Sequence, residues 1–120
     1  MAEASQQAVE FVPVEDATAL DQLFARSTAA PIVLLKHSTT CPISSRAYRQ
    51  MSKLDRDAVG EVALVIVQTA RAVSDEIARR TGIRHESPQA FILRGGKVVW
   101  HASHFDITSD AVERAVGENK

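Results

Sequence analysis

The only cysteine of the chain lies in a stretch rich in hydroxyl side chains, KHSTTCPISSR over residues 36–46. The apolar run that precedes it, residues 31–35, is typical of a short buried strand. After it, apolar residues recur every three or four positions, which predicts one face of an amphipathic helix from Pro42 to about Ala58. Cys41 is therefore expected where a strand ends and a helix begins.

This position favours a reactive thiolate. The first amides of a helix have no intrahelical partner and carry the positive end of the helix dipole, and Pro42 suits the first helical position. A cysteine at such a site titrates below its free value, and the thiolate is the nucleophile. Cys41 is thus the predicted catalytic residue. The alternative is a buried cysteine that acts as a small apolar side chain, which would not need these polar neighbours.

Two hydroxyl residues beside Cys41 are expected to stabilise its thiolate. Ser44 follows it by one helical turn and can donate a hydrogen bond to the sulfur, which lowers the thiol pKa. Thr40 precedes it directly and is predicted to act in the same way. For Ser44 the alternative is an ordinary polar residue near an exposed helix end.

Composition limits the classes of protein that the chain can represent. Its 120 residues suffice for one domain, predicted over residues 9–120 after a disordered terminus at 1–8. Lys and Arg number 14 and Asp and Glu 15, so no field of one sign indicates nucleic acid or an anionic membrane. One cysteine cannot form an internal disulfide, and neither a signal pattern nor an apolar run of membrane length occurs, so a cytoplasmic location is expected.

Helix and strand patterns alternate along the chain. The predicted order is an edge strand within 9–14, a helix over 16–27, a strand over 31–36, the helix after Cys41, a strand over 62–67, a helix over 71–81, strands over 90–94 and 97–102 joined by Gly-Gly, and a helix after Thr108.

These elements predict an α/β fold of the thioredoxin-like class. A strand-helix-strand unit places its two strands parallel with a right-handed crossover, and the terminal hairpin adds antiparallel strands. The result is a four-stranded mixed sheet with helices on both faces and an extra N-terminal edge strand, in which Pro13 suits an edge position. In this fold the reactive cysteine follows the first core strand, as Cys41 does.

Four separated segments resemble the YtxJ-type monothiol bacilliredoxins of the bacillithiol system: KHSTTCPIS (36–44), HESPQ (85–89), GGKVVW (95–100) and ASHFDIT (102–108). The resemblance spans roughly residues 12–116. It implies a thioredoxin-like oxidoreductase that acts, through Cys41, on mixed disulfides between bacillithiol and protein cysteines. It further implies bacillithiol as co-substrate without a bound cofactor or metal, bacillithiolated client proteins as partners, and a role in the stress response. A monomer is expected because no surplus apolar face suggests an obligate dimer.

The resemblance also assigns roles around Cys41. Ser44 stands where dithiol relatives carry a second cysteine, and a hydroxyl cannot form a disulfide, so the chemistry must be monothiol. Ser87 and Pro88 are expected to bind substrate, with Pro88 in the cis form and the Ser87 backbone paired to an extended chain. A trans loop proline is the alternative.

His104 and His37 are expected at the same rim of the sheet as Cys41. Either imidazole can tune the thiol or meet a carboxylate of bacillithiol, whose acid groups derive from malate. The alternative is that both only satisfy backbone groups of the loops.

Two other functions stay open at this point. A glutaredoxin-like iron-sulfur module would need a dimer, since one cysteine per chain cannot complete a four-thiolate site. A non-catalytic thioredoxin-like domain would use Cys41 only as a redox-sensitive modification site.

Overall fold

The computed structural model describes residues 7–120. Five strands form one mixed sheet in the order β1-β3-β2-β4-β5. The strands are β1 (Phe11–Pro13), β2 (Ile32–His37), β3 (Val62–Ile66), β4 (Gln89–Arg94) and β5 (Lys97–Ser103). The helices are α1 (Ala17–Arg26), α2 (Pro42–Ser52), α3 (Arg56–Val59), α4 (Arg71–Thr81) and α5 (Ser109–Glu118), with a single 3₁₀ turn at His104–Asp106.

The predicted topology is confirmed. Strands β1 and β2 both pair in parallel with β3, and β4 pairs antiparallel with β2 and with β5. The additional N-terminal strand lies at the edge, where the missing N–H of Pro13 breaks no internal ladder. Gly95 and Gly96 have φ of 68° and 78° at the β4–β5 turn, a left-handed conformation that glycine adopts without a steric cost.

Side chains alternate along β2 between two apolar layers, and all six of its residues are buried. Val33 and Leu35 pack with the helices α2 and α5 on one face of the sheet. Leu34 packs with α1 and α4 on the other face. The strand that leads to Cys41 is therefore the centre of the core, and this fixes the position of its carboxyl end.

The helix after Cys41 is shorter than its apolar pattern predicts. It ends at Ser52, and α3 begins separately after Asp55, whose side chain accepts a hydrogen bond from the amide of Asp57 at 3.3 Å. Leu54 is nevertheless fully buried, and its amide donates to Met51 O at 3.1 Å. A tight turn thus keeps the apolar spacing of a helix although the helix itself has ended.

Residues 1–6 of the predicted disordered terminus lie outside the described residues. The next two contact Asp55: the amide of Gln7 donates to its carboxylate at 3.1 Å, and Ala8 forms an isolated antiparallel bridge with it.

Candidate active site

Cys41 occupies the N-cap position of α2, at the carboxyl end of β2. Its backbone is extended, with φ −101° and ψ 123°, and its carbonyl accepts the first helical hydrogen bond from the amide of Ser45 at 3.0 Å. Pro42 is the first helical residue, and the cysteine side chain is partly exposed. The sulfur is therefore accessible and close to amides that lack an intrahelical acceptor.

The surroundings favour the thiolate over the thiol. The backbone amide of Ser44 is the main cause that lowers the pKa of Cys41 below its ordinary value of 9.0. The amide of Ile43 and the hydroxyl of Ser44 lower it further, and partial burial opposes them. These two amides belong to the second and third helical residues, the ones that a capping oxygen ordinarily satisfies.

Ser44 is fully buried and has a second contact besides the sulfur. Its Oγ accepts a hydrogen bond from the amide of Ser38 at 3.2 Å. The same side chain thus acts on the thiol and holds the loop between β2 and α2. This contact requires the tertiary turn and carries no sequence signal beyond the spacing of Ser44 from Cys41.

Thr40 lies next to Cys41, but its hydroxyl has other partners. Thr40 Oγ1 is 3.2 Å from Gln68 Nε2 and 3.4 Å from Ser38 Oγ, and Gln68 Oε1 accepts the amide of Thr39 at 3.3 Å. Thr40 does not appear among the groups that shift the thiol pKa, so its stabilising role stays a prediction. The sequence reasoning missed Gln68, which comes two residues after β3 and therefore lies near the end of the neighbouring strand β2.

Ser87 and Pro88 lie beside this end of β2. Their peptide bond is cis, as predicted, and Pro88 is buried. Lys36 pairs with Gln89, so the next position outward places Pro88 opposite His37, four residues before Cys41. Ser87 Oγ is buried without a hydrogen-bond partner among the described residues, and this leaves an unused polar atom at the edge of the site. The proposed contact with substrate stays a prediction.

His104 is brought to the same edge by the hairpin. Its amide donates to the carbonyl of Pro88 at 3.2 Å, and its backbone has a positive φ of 54°. Its Nε2 is 3.7 Å from Glu86 Oε1, and both side chains are partly exposed. Glu86 was not singled out from the sequence, although it lies within the HESPQ segment. It places a carboxylate within ion-pair distance of the His104 ring.

His37 is placed differently from His104. The residue is only 8% exposed, and its ring lies 5.1 Å from the ring of Tyr48 in α2, centroid to centroid. Burial is the main cause that lowers its pKa, which keeps the imidazole neutral at pH 7, and the Ser44 backbone opposes the shift. Its Nδ1 has no hydrogen-bond partner among the described residues. The structure therefore packs His37 beneath α2, and its role toward substrate stays a prediction.

No group of three or more His, Cys, Asp or Glu side chains within residues 7–120 is arranged to hold a metal ion. Within the same range, no helix has the length and apolar character needed to cross a bilayer.

Comparison with solved structures defines the class of the fold. A thioredoxin from Fasciola hepatica matches with a TM-score of 0.72 and 15% identity, covering 91% of this chain and 99% of that chain. A thioredoxin from Nicotiana alata matches with a TM-score of 0.73 and 15% identity over 98% and 99% of the two chains. A more similar structure is described as "a putative oxidoreductase with a thioredoxin fold": TM-score 0.80, 35% identity, coverage 88% and 92%.

The fold and the capping cysteine together define a monothiol redox protein of the thioredoxin-fold oxidoreductases. Residues 12–112 match the sequence model described as monothiol bacilliredoxin BrxC. The chain belongs to this family.

Proposed function

We propose that this protein reduces mixed disulfides between bacillithiol and the cysteines of other proteins. The observation that carries the proposal is the lone sulfur of Cys41 at the N-terminus of α2, partly exposed and with a lowered pKa. Membership in the bacilliredoxin family supports bacillithiol as the thiol that is removed. The protein then needs no bound cofactor, since bacillithiol enters as co-substrate.

The reaction is a pair of thiol–disulfide exchanges. The Cys41 thiolate attacks the bacillithiol sulfur of the mixed disulfide, a Cys41–bacillithiol disulfide forms, and the client cysteine leaves as a thiolate that takes up a proton. A second thiol then attacks the bacillithiol sulfur, forms a new disulfide with it and releases the Cys41 thiolate. Overall, the client cysteine is reduced and the incoming thiol is oxidised, while the bacillithiol sulfur passes from one disulfide to the next.

Ser44 explains why the second step needs an external thiol. It lies one turn after Cys41, close enough to act on the sulfur, but its hydroxyl cannot form a disulfide. Its contribution is to keep Cys41 ionised, which helps Cys41 both as attacking group and as leaving group.

Substrate groups are expected to contact the edge formed by Ser87, Pro88 and His104. The partly exposed His104 can meet a carboxylate group of bacillithiol, and the Ser87 backbone can pair with an extended substrate. His37 contributes from beneath α2 by packing and not by open contact. We propose a monomer that acts on client proteins in the cytoplasm during redox stress.

The test compares the wild-type protein with Cys41→Ala on a client protein that carries bacillithiol on one cysteine. Wild type is expected to release the client thiol and to gain the mass of bacillithiol on Cys41, seen by mass spectrometry. Cys41→Ala should do neither. Equal client release by both proteins, or release without an adduct on Cys41, would contradict the proposed mechanism.

A matched comparison addresses the substrate. The same client carrying glutathione in place of bacillithiol differs only in the small thiol. A protein that recognises bacillithiol should release the bacillithiolated client faster. Equal rates would indicate a general disulfide reductase that does not prefer bacillithiol over glutathione.

A further inference from the structure

Lys36 is among the largest fully buried side chains of the described residues, with an exposed fraction of 0%. Side chains alternate along β2, so Lys36 lies on the face of the sheet that packs against α1 and α4, opposite the face covered by α2. Its Nζ is 3.1 Å from Nδ1 of His85 and 5.9 Å from the centroid of the Phe91 ring. A lysine ammonium is rarely buried in this way, because its desolvation is costly.

The charges around Lys36 do not include a direct ion-pair partner. None of the ion pairs within residues 7–120 involves it, although Asp75 in α4 attracts it from a longer distance. Burial lowers its pKa to about 8. A well-packed apolar side chain would fill the same position without the desolvation free energy that a buried ammonium requires. The lysine is therefore a poor choice for stability alone.

The contact made by Lys36 reaches the segment that ends in Ser87–Pro88. His85 is an exposed residue whose Nδ1 edge is directed inward, where the Ser74 hydroxyl also lies at 3.3 Å. Burial, followed by the charge of Lys36, lowers the pKa of His85, so its ring is neutral at pH 7 and Nδ1 can accept a hydrogen bond. Lys36 thus fixes the His85 ring by a hydrogen bond to its inward-facing Nδ1.

A second anchor holds the backbone of the same segment. The buried side chain of Gln89 accepts the amide of Glu86 at 3.3 Å and donates to the carbonyl of Arg84 at 2.9 Å. Gln89 is also the residue that pairs with Lys36 across β2 and β4. The two side chains that hold segment 84–88 therefore belong to one cross-strand pair of β2 and β4. Lys36, the member in β2, precedes Cys41 by only a few residues.

We propose that Lys36 is a positioning residue for disulfide exchange: by donating to His85 it fixes segment 84–88, against which an extended disulfide substrate docks. The inference rests on the proposed function only in assuming that substrate approaches Cys41 along this segment. Lys36 acts through His85 and does not touch the reacting sulfur atoms.

The closing experiment uses a probe that does not depend on bacillithiol. It is an extended peptide whose single cysteine carries a thionitrobenzoate group. The Cys41 thiolate attacks the peptide sulfur, a Cys41–peptide disulfide forms, and the coloured thionitrobenzoate thiolate leaves. Single-turnover rates against peptide concentration give a half-saturation concentration and a limiting rate. Alkylation of Cys41 by iodoacetamide reports the reactivity of the thiol without docking.

Lys36→Met removes the donor and keeps a long apolar side chain, and Ser74 can still donate to His85. We expect the half-saturation concentration to rise about 10-fold, as for one lost hydrogen bond to a charged group. The limiting rate, the iodoacetamide rate and the urea midpoint should not fall. Deuterium exchange of segment 84–88 should become faster. Lys97→Met, at an exposed lysine in β5, is the matched control and should change none of these quantities.

A second pair of variants keeps the test decisive if Lys36→Met folds poorly. His85→Asn retains an acceptor near the position of Nδ1 and should preserve docking. The double variant Lys36→Met with His85→Leu lacks both partners and should match the 10-fold rise. A lower stability with an unchanged half-saturation concentration would show a merely structural role and overturn the inference. Wild-type exchange with this peptide but not with a bacillithiolated client would contradict the proposed function alone.

Discussion

Helices α2 and α5 begin in similar backbone geometry, but their capping residues differ in chemistry. Thr108 precedes α5 with φ −130° and ψ 153°, and its hydroxyl accepts the amide of Ala111 at 3.1 Å. Cys41 precedes α2 with φ −101° and ψ 123° and forms no capping hydrogen bond. The equivalent amide, that of Ser44, is the main cause of the lowered thiol pKa.

The comparison shows two uses of one structural position. At α5 an oxygen satisfies the third helical amide, and the benefit is stability. At α2 the equivalent amide has no oxygen acceptor, so it forms a favourable interaction only when the sulfur of Cys41 is ionised. Helix α2 thus lacks an oxygen cap at the position of the proposed nucleophile, Cys41.

The largest expected effect comes from placing an oxygen cap at α2. Cys41→Ser should abolish thiol–disulfide exchange, because a hydroxyl is not ionised at neutral pH. The same variant should have a higher free energy of unfolding than wild type, since serine is a favoured N-cap residue. Client release assays and urea denaturation measure the two effects. Lower stability of Cys41→Ser would show that the sulfur itself is an effective cap.

An intermediate effect is expected from Ser44→Ala. The variant removes the hydroxyl that favours the thiolate, so the pKa of Cys41 should rise. Iodoacetamide alkylation should therefore be slower at pH 7 and reach the same limiting rate at high pH, because the rate follows the thiolate fraction below the pKa. Ser45→Ala is the matched control, one residue further along α2. An unchanged pH profile in Ser44→Ala would remove its hydroxyl from the mechanism.

Ser44→Ala should also cost stability. The amide of Ser38 loses its acceptor, a loss of about 1 kcal/mol in the free energy of unfolding. This cost is measurable by urea denaturation at a single pH and does not depend on the ionisation of Cys41.

The smallest effect on the thiol is expected at α5. Thr108→Ala should lower the free energy of unfolding by about 1 kcal/mol, because the Ala111 amide loses its cap. The alkylation rate of Cys41 should stay the same at every pH, since α5 does not begin near the sulfur. Thr108→Ser retains the hydroxyl and should recover the stability. A changed thiol pKa in Thr108→Ala would show that the two helix ends are coupled.

Local patterns were sufficient for most of the fold. The continuous apolar run over 62–67 predicts a strand buried on both faces, and β3 spans Val62–Ile66 between two other strands. Helix α4 has the predicted bounds and ends at Gly82, with φ 69°. The predicted continuation of α2 to Ala58 was wrong, because Leu54 meets the core equally well from a tight turn. Apolar spacing indicates which side chains face the core, but not whether the backbone between them forms a helix or a turn.

The features of the candidate site likewise fall into those that local patterns predicted and those that they did not. Cys41, its helix and the cis bond before Pro88 were predicted from short segments, and the structure has all three. Gln68, Glu86 and the contact between Lys36 and His85 were not predicted. Each of these residues lies 18 or more positions from the partner that it meets at the site. No local spacing indicates such a pair.

By itself, the sequence indicated Cys41 as the candidate nucleophile, the class of fold and the order of the strands along the chain, because these follow from the periodicity of apolar residues and from one cysteine placed before a proline. Only the tertiary structure decided that His37 packs under α2 while His104 is partly exposed beside Glu86, and that Lys36 lies beneath His85. The reason is that two neighbouring residues of a strand point to opposite faces of the sheet. What each one meets there depends on helices and loops that are distant in the chain.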